Sequence, residues 1–284
     1  MMGSVSPMTR PRRSPGAATT SWRRVARGSA WSAVATVSGS PVRGRADTDA
    51  VWIDRSSSAG WWGRLRAVDL LGGLVVEVSR LSALHDRVLV GIDGPDAAGK
   101  TTLADNLSDA LDIPTVRASI DGFHRPREQR YERGELSPDG YYTDSFDYHA
   151  LLEQCLAPFL GGSARVSTAS YDHRARAEAA TGVTAVPTKA VLVFDGVFLL
   201  RPELRDVWTL SVYLRVSPQE TLRRAHQRDL DVLGSAEQIS RRYLGRYLPG
   251  QALYRRQADP EAFAQVLVDN EHAEAPVVER WVTG

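Results

Sequence analysis

The sequence predicts an α/β protein built on a mostly parallel sheet. Three observations carry that expectation. Short β-branched runs of strand length recur between residues 87 and 268, and segments with helical spacing separate them. One strand-turn-helix unit has glycines where the chain must turn sharply. Parallel strands need crossover connections, and crossovers place helices on both faces of the sheet.

The elements follow in order. Residues 1–60 are rich in Ser, Ala, Gly, Thr and Arg, with nine arginines against three aspartates and no sustained period. That composition buries too little apolar surface to offset ordering entropy, so 1–60 is expected to be a disordered basic tail and 61–284 the folded domain. A mis-assigned start would look the same. Trp22-Arg23-Arg24-Val25 has a twin-arginine look, but the stretch from Ala30 to Val42 is broken by Ser and Gly and makes a poor export core. Trp61, Leu65, Val68, Leu71, Val75 and Val78 recur at helical spacing and predict helix near 61–84. Gly72 and Gly73 weaken it, at about 1 kcal/mol each.

Arg87 to Asp93 reads as a buried strand, and Thr102 to Leu111 as a helix with Leu103, Leu107 and Leu111 on one face. Further strands are expected at Thr115–Ile120, Ala190–Phe194, Leu210–Val216 and Val266–Val268, with helices at 147–160 and 218–230. Ser217-Pro218-Gln219-Glu220 marks a helix start by a capping box. Cys155 shares an apolar helix face with Leu151, Leu152 and Phe159, which predicts a buried, inert thiol.

Composition excludes several classes. With 284 residues and 43% hydrophobic side chains, a full core needs no disulfide or metal staples. A net charge of +1 speaks against a strongly basic nucleic-acid binder, and a lone cysteine excludes a disulfide framework or a Cys-rich zinc site. No apolar run reaches membrane-spanning length. The expectation is a cytoplasmic protein with a small-molecule substrate and neither nucleic-acid nor membrane partners; homo-oligomerisation stays open. Only two of the 35 basic residues, Lys100 and Lys189, are lysines.

One of those lysines completes a motif. Gly94-Pro95-Asp96-Ala97-Ala98-Gly99-Lys100-Thr101 fits G-x-x-x-x-G-K-[ST] between a strand and a helix, against a chance expectation of roughly 0.002 matches for this composition. Glycines let backbone amides approach phosphates, and the helix N-terminus adds partial positive charge. A compact ammonium reaches the β- and γ-phosphates where a planar guanidinium fits poorly. Residues 94 and 96–102 are thus the candidate nucleotide contacts, and Thr101 offers a hydroxyl to Mg²⁺. The fold predicted is a P-loop NTPase three-layer sandwich.

Asp121, in Ser119-Ile120-Asp121-Gly122-Phe123-His124, falls where the second strand ends. Ligands of open α/β sheets bind at that end, and a carboxylate there accepts a hydroxyl proton or holds Mg²⁺ through water.

These segments, with Phe146-Asp147, Tyr171-Asp172-His173 and Phe194-Asp195-Gly196, occur in an order that resembles the uridine kinase-like P-loop kinases, a group including uridine/cytidine kinases, pantothenate kinases and phosphoribulokinases. The resemblance spans about residues 87–270. It implies an ATP- and Mg²⁺-dependent phosphotransferase with a small helical lid. Asp121 is then the catalytic base, acting with Lys100 and Arg228. His124, Phe146, Asp147, Tyr171 and His173 are acceptor contacts, with the Asp147 carboxylate on ribose hydroxyls. Asp195 joins Thr101 at the metal, and Arg224 and Arg228 close over the triphosphate. Plain structural readings stand beside these: Phe146 as core, His173 with Arg174 and Arg176 as a solvated loop, Asp121 and Asp195 as turn residues, and Arg223, Arg224 and Arg228 as an exposed helix face.

The sequence also departs from the group. Uridine kinases usually follow the lid Arg-Asp with Arg-Gly-Arg; here Arg228-Asp229 is followed by Leu233-Gly234-Ser235. Arg241, Arg242 or Arg246 are candidates to replace the missing cations. The run Asp121–Pro126, with Gly140-Tyr141-Tyr142, also resembles pantothenate kinases. A uridine or cytidine acceptor leads, pantothenate or another hydroxylated metabolite follows, and a nucleotide-binding regulator that has lost turnover is the reading from another class.

Overall fold

The computed structural model describes residues 67–172, 177–178 and 182–282. The segment 1–60, with Trp61, Leu65 and His173, lies outside the described residues.

Helix α1 (Ala67–Leu84) leads into β1 (Arg87–Asp93), the phosphate loop, α2 (Lys100–Ala110) and β2 (Thr115–Ser119). A 3₁₀ turn (Ile120–Phe123) opens a run of short helices: α3 (Arg127–Arg130), α4 (Pro138–Asp144), α5 (Tyr148–Leu151) and α6 (Ala157–Leu160). Two small antiparallel pairs follow, β3 (Arg165–Ser167) with β6 (Val183–Ala185) and β4 (Tyr171–Asp172) with β5 (Ala177–Glu178). Then come β7 (Ala190–Gly196), β8 (Leu210–Arg215), α7 (Pro218–Arg228), α8 (Leu230–Leu233), α9 (Ala236–Arg242), α10 (Leu248–Ala258), α11 (Pro260–Phe263), β9 (Val266–Asp269) and β10 (Val277–Trp281).

Six strands form the central sheet in the order β10-β9-β8-β1-β7-β2. All pairings are parallel except that of β10 with β9. Every residue of β1 and β7 is buried, which is why both read as continuous apolar runs rather than alternating ones. Side chains of β1 alternate between two apolar layers. Val88, Val90 and Ile92 meet Leu70, Leu74 and Val78 of α1 and Leu107 of α2 on one face. Leu89 meets an aromatic layer on the other, with Phe123, Phe146, Phe159, Phe198 and Tyr254. A small third core, Ala225, Ile239 and Tyr243, joins α7 to α9.

Four differences from the sequence-based expectation have physical causes. Helix α1 runs through Gly72 and Gly73 unbroken, because Gly73 admits the Trp281 ring of β10: an added Cβ would stand 3.0 Å from Cη2. Nothing in the structure explains Gly72. The helix expected over 147–160 is cut by a π turn, Leu152–Leu156, just before Pro158, whose ring and missing N–H would break a regular α-helical ladder. The helix expected over 218–230 stops at Arg228, and α8 starts at Leu230. Strand β10 is antiparallel and half-exposed, and too irregular in pattern to be read from sequence. Cys155 is buried as expected, and burial pushes its thiol up to about 12.

The first strand ends on a buried charge. Asp93 is fully enclosed and accepts from Gly94 N at 2.6 Å, Leu200 N at 2.9 Å and the Tyr254 hydroxyl at 2.5 Å. Burial raises its pKa to about 6, opposed by those bonds and by Lys100.

Two tests follow from this packing. At Gly91 an added Cβ would lie 2.6 Å from the Trp208 ring, so Gly91→Ala should lower unfolding free energy by about 1–3 kcal/mol in denaturant titration. The folded Asp93 carboxyl holds its proton more tightly than the unfolded one, so its contribution is fully present at low pH and is lost as pH rises from about 4 to about 6. Wild-type stability measured relative to Asp93→Asn should therefore fall across that window by on the order of 3 kcal/mol and stay level above it; a flat difference would refute the shift.

Candidate active site

The phosphate loop is shaped by its backbone. An added Cβ on Gly94 would lie 2.6 Å from Leu214 O, so only glycine lets the loop pass β8. Gly99, at φ +84, adopts the left-handed conformation immediately before α2. Ala97 takes a positive φ of 55 without being glycine, a local strain of the kind that marks functional loops. From the far side, Asn270 Nδ2 donates to Ala98 O at 2.8 Å.

The loop walls a cavity of about 250 Å³, lined by residues 97–102 and by Arg224 and Arg228 of α7. Lys100, the first residue of α2, is 9% exposed, and its Nζ donates to Pro95 O at 2.6 Å. Burial pulls its ammonium below the usual range; Asp96, Asp93, Asp195 and Asp121, in that order, oppose the shift. Asp93 and Asp195 stand at the ends of β1 and β7, and Asp121 follows β2, so parallel register brings these carboxylates and the loop to one end of the sheet.

Thr101 Oγ1 donates to Asp195 Oδ2 at 2.7 Å, and Arg117 Nη2 donates to Asp195 Oδ1 at 2.9 Å. Asp195 is buried on β7, one strand over from the loop. A hydroxyl and a carboxylate side by side are the hard oxygen donors that suit Mg²⁺. Among the described residues no three His, Cys, Asp or Glu side chains converge on a metal site. One hydroxyl and one carboxylate fit an ion held largely by phosphates and water, as Mg²⁺ usually is.

Asp121 lies in the 3₁₀ turn just past β2 and is exposed. His124 Nδ1 lies 2.9 Å from Asp121 O. Backbone bonds from Arg125 N to Ser145 O and from Asp147 N to Phe123 O lay residues 123–125 beside 145–147. Two segments that are distant in sequence thereby become one wall. The His124 ring rests 4.6 Å from that of Phe146, which is itself buried against Tyr148 and Phe198. Phe146 is thus a core residue that supports His124 from behind. Asp147 Oδ1 accepts from Ala150 N and caps α5. Ser170 N donates to Gly122 O, which brings the start of β4, and so the half-buried Tyr171, alongside the same turn.

The lid differs from the sequence reading in two ways. Ser217 caps α7 as expected, accepting from Glu220 N. The Glu220 carboxylate, however, does not complete a capping box; it pairs with Arg223 and Arg224, and Glu271 accepts from Ser217 N instead. The second difference concerns the substitute lid arginines. Arg246 cannot reach the phosphates: it is buried and donates to the carbonyls of Arg130 and Ser137, binding the α3–α4 segment to the helix after the lid. Arg242 pairs with Glu135, and Arg241 is exposed. Of the lid cations, Arg224 and Arg228 line the cavity. Arg224 Nη2 donates to Asn270 O, and Arg228 donates to Asp229 and to Tyr243 Oη, with Asp229 raising its pKa.

Sequence reasoning missed Arg117, Asn270, Gln251 and Tyr254, and read Tyr141 only as part of a glycine/aromatic run. Arg117 had a weak signal, a charge inside a strand. Gln251 and Tyr254 on α10, and Asn270 after β9, have nothing local to mark them.

Residues 89–249 match the model of the phosphoribulokinase / uridine kinase family. The uridine kinase of Aliivibrio salmonicida is 27% identical over 179 residues, covering 56% of this chain and 76% of that protein. That of Lactobacillus johnsonii is 25% identical, covering 64% and 85%. In fold, the chain is similar to a possible uridine kinase from Bacillus stearothermophilus, with TM-score 0.51, 23% identity, and 69% and 98% of the two chains covered. It is likewise similar to the D-glycerate 3-kinase of Cryptococcus neoformans, with TM-score 0.50, 16% identity, and 76% and 97% covered. The fold is that of the α/β P-loop kinases, and the family match extends over more than half the sequence, from β1 into α10. The chain belongs to the phosphoribulokinase / uridine kinase family.

Proposed function

We propose that the chain transfers the γ-phosphate of ATP to a hydroxyl of a small metabolite, with a nucleoside such as uridine or cytidine as the acceptor. The observation that carries this reading is the gathering of Lys100, the Thr101–Asp195 pair and Asp121 at one end of the sheet. The uridine kinase relatives support the nucleoside acceptor. An ATP-dependent reaction of this kind belongs in the cytoplasm.

Each residue has a task that its placement suits. Loop amides and the Lys100 ammonium bind the β- and γ-phosphates and hold the transferring group in line. Arg224 and Arg228 cover the same cavity and offset charge on the equatorial oxygens. Mg²⁺, when bound, neutralises phosphate charge; Thr101 and Asp195 are the residues to hold it, with Arg117 fixing the Asp195 carboxylate. Asp121 takes the acceptor hydroxyl proton as the bond to phosphorus forms. His124 on Phe146, with Asp147 and Tyr171, forms the wall that orients the acceptor.

An acceptor screen with ATP and Mg²⁺, reading ADP release and product mass, tests the reading directly. Uridine or cytidine should stimulate ADP formation; stimulation by pantothenate alone would reassign the acceptor, and no stimulation by any hydroxylated metabolite would favour a regulatory nucleotide binder. Asp121→Asn should reduce transfer by roughly 10²–10⁴-fold while ATP binding persists. Lys100→Ala should weaken both. Full turnover in Asp121→Asn would remove the base assignment.

A further inference from the structure

Two acidic residues stand at the phosphate loop, Asp93 at the end of β1 and Asp96 within the loop, although the loop is built to receive a polyanion. Like charges repel, so a free carboxylate in this loop opposes the phosphates. Neither is free. Asp96 Oδ2 accepts from the Tyr141 hydroxyl of α4 at 2.7 Å and from Gln251 Nε2 of α10 at 2.6 Å. Asp93 accepts from the Tyr254 hydroxyl, one turn further along α10. Residues three apart share a helix face, so one face of α10 holds both loop carboxylates.

Three details show how the hold works. All three side-chain donors are neutral, so they fix the carboxylates without placing a competing cation in the loop. Gln251 is 3% exposed and its Oε1 has no partner; the side chain is spent on the one bond from Nε2 to Asp96. Asp96 does not line the phosphate cavity, although it flanks residues that do. Its carboxylate is turned toward α4 and α10, and its charge acts on Lys100. With the Gln251 bond lost, a carboxylate so placed adds negative charge beside a loop that receives phosphates.

We propose that Gln251 and Tyr254 are positioning residues for nucleotide binding: they hold the acidic groups of the phosphate loop away from the phosphates and leave Lys100 to the ligand. The proposal rests on the ATP reading above. Both residues act through Asp96 and Asp93, and neither lines the cavity.

The test is ATP binding by titration calorimetry on the full chain, with thermal unfolding recorded for each variant. Gln251→Met, of similar volume, should weaken ATP binding about tenfold, the scale of one hydrogen bond to a charged group. Tyr254→Phe should weaken it in the same direction. The decisive measurement is rescue: Asp96→Asn introduced beside Gln251→Met should return affinity to near the wild-type value, because the released group is then uncharged. A merely structural Gln251 predicts lower thermal stability with no such recovery. Should Gln251→Met fail to fold, Gln251→Asn keeps the amide but withdraws it from Asp96 and carries the same expectation. Wild-type-like binding in the Gln251 variants, or no recovery with Asp96→Asn, overturns the inference. Failure of the wild-type chain to bind ATP overturns the functional reading, and the inference with it.

Discussion

The buried carboxylate of Asp93 is the joint on which the rest of the site depends. It stands at the last position of β1 and takes three donors from three different parts of the chain: the first amide of the phosphate loop, the amide of Leu200 beyond β7, and the hydroxyl of Tyr254 on α10. A carboxylate with no exposed surface is costly unless its lone pairs are used, and here they are. The same bonds therefore satisfy the charge and fix where the loop leaves the strand. Everything downstream of that exit inherits its geometry, from the left-handed Gly99 to the placement of Lys100 on α2.

A second carboxylate performs a similar task on the neighbouring strand. Asp195 is held by Arg117 from β2 and by Thr101 from α2, so it ties the sheet edge to the helix that follows the loop. Arg117 also donates to Val193 O, which anchors the guanidinium to the strand it serves. Parallel register places Asp93 beside Gly196 and Ile92 beside Asp195, and this brings a nucleotide loop and a metal-type carboxylate together without a dedicated connection. The aromatic layer on the α10 face supports the acceptor wall in the same indirect way: Phe146 and Phe198 are core, and His124 is the ring they present.

How much of this was legible depends on how local each signal was. The loop was legible because glycine, lysine and threonine at fixed spacing are required by phosphate chemistry within eight consecutive residues. Asp121 and Asp195 were legible as acidic residues at strand ends. The π turn before Pro158 and the antiparallel β10 were not, because neither has a periodic signal. Arg246 misled: its sequence neighbourhood is that of a lid cation, but burial against Tyr131 and Tyr141 and its bonds to backbone carbonyls assign it to packing. Glu271 takes the capping task expected of Glu220 for a related reason: it lies far away in sequence but next to the α7 N-terminus in space.

The sequence by itself determined the fold class, the strand-loop-helix unit and the residues of the phosphate-loop motif, because backbone conformation and charge at those positions follow from residue type. Tertiary structure alone decided which polar side chains complete the site. Tyr141, Gln251, Tyr254 and Asn270 come from elements up to 172 residues away from the loop they hold. Their partners are chosen by sheet order and helix placement, and no local pattern records a hydrogen bond between residues so far apart in the chain. The two aspartates of the loop show the division plainly. Their presence is written in the sequence, while their orientation, toward α4 and α10 and off the cavity wall, exists only in the folded chain.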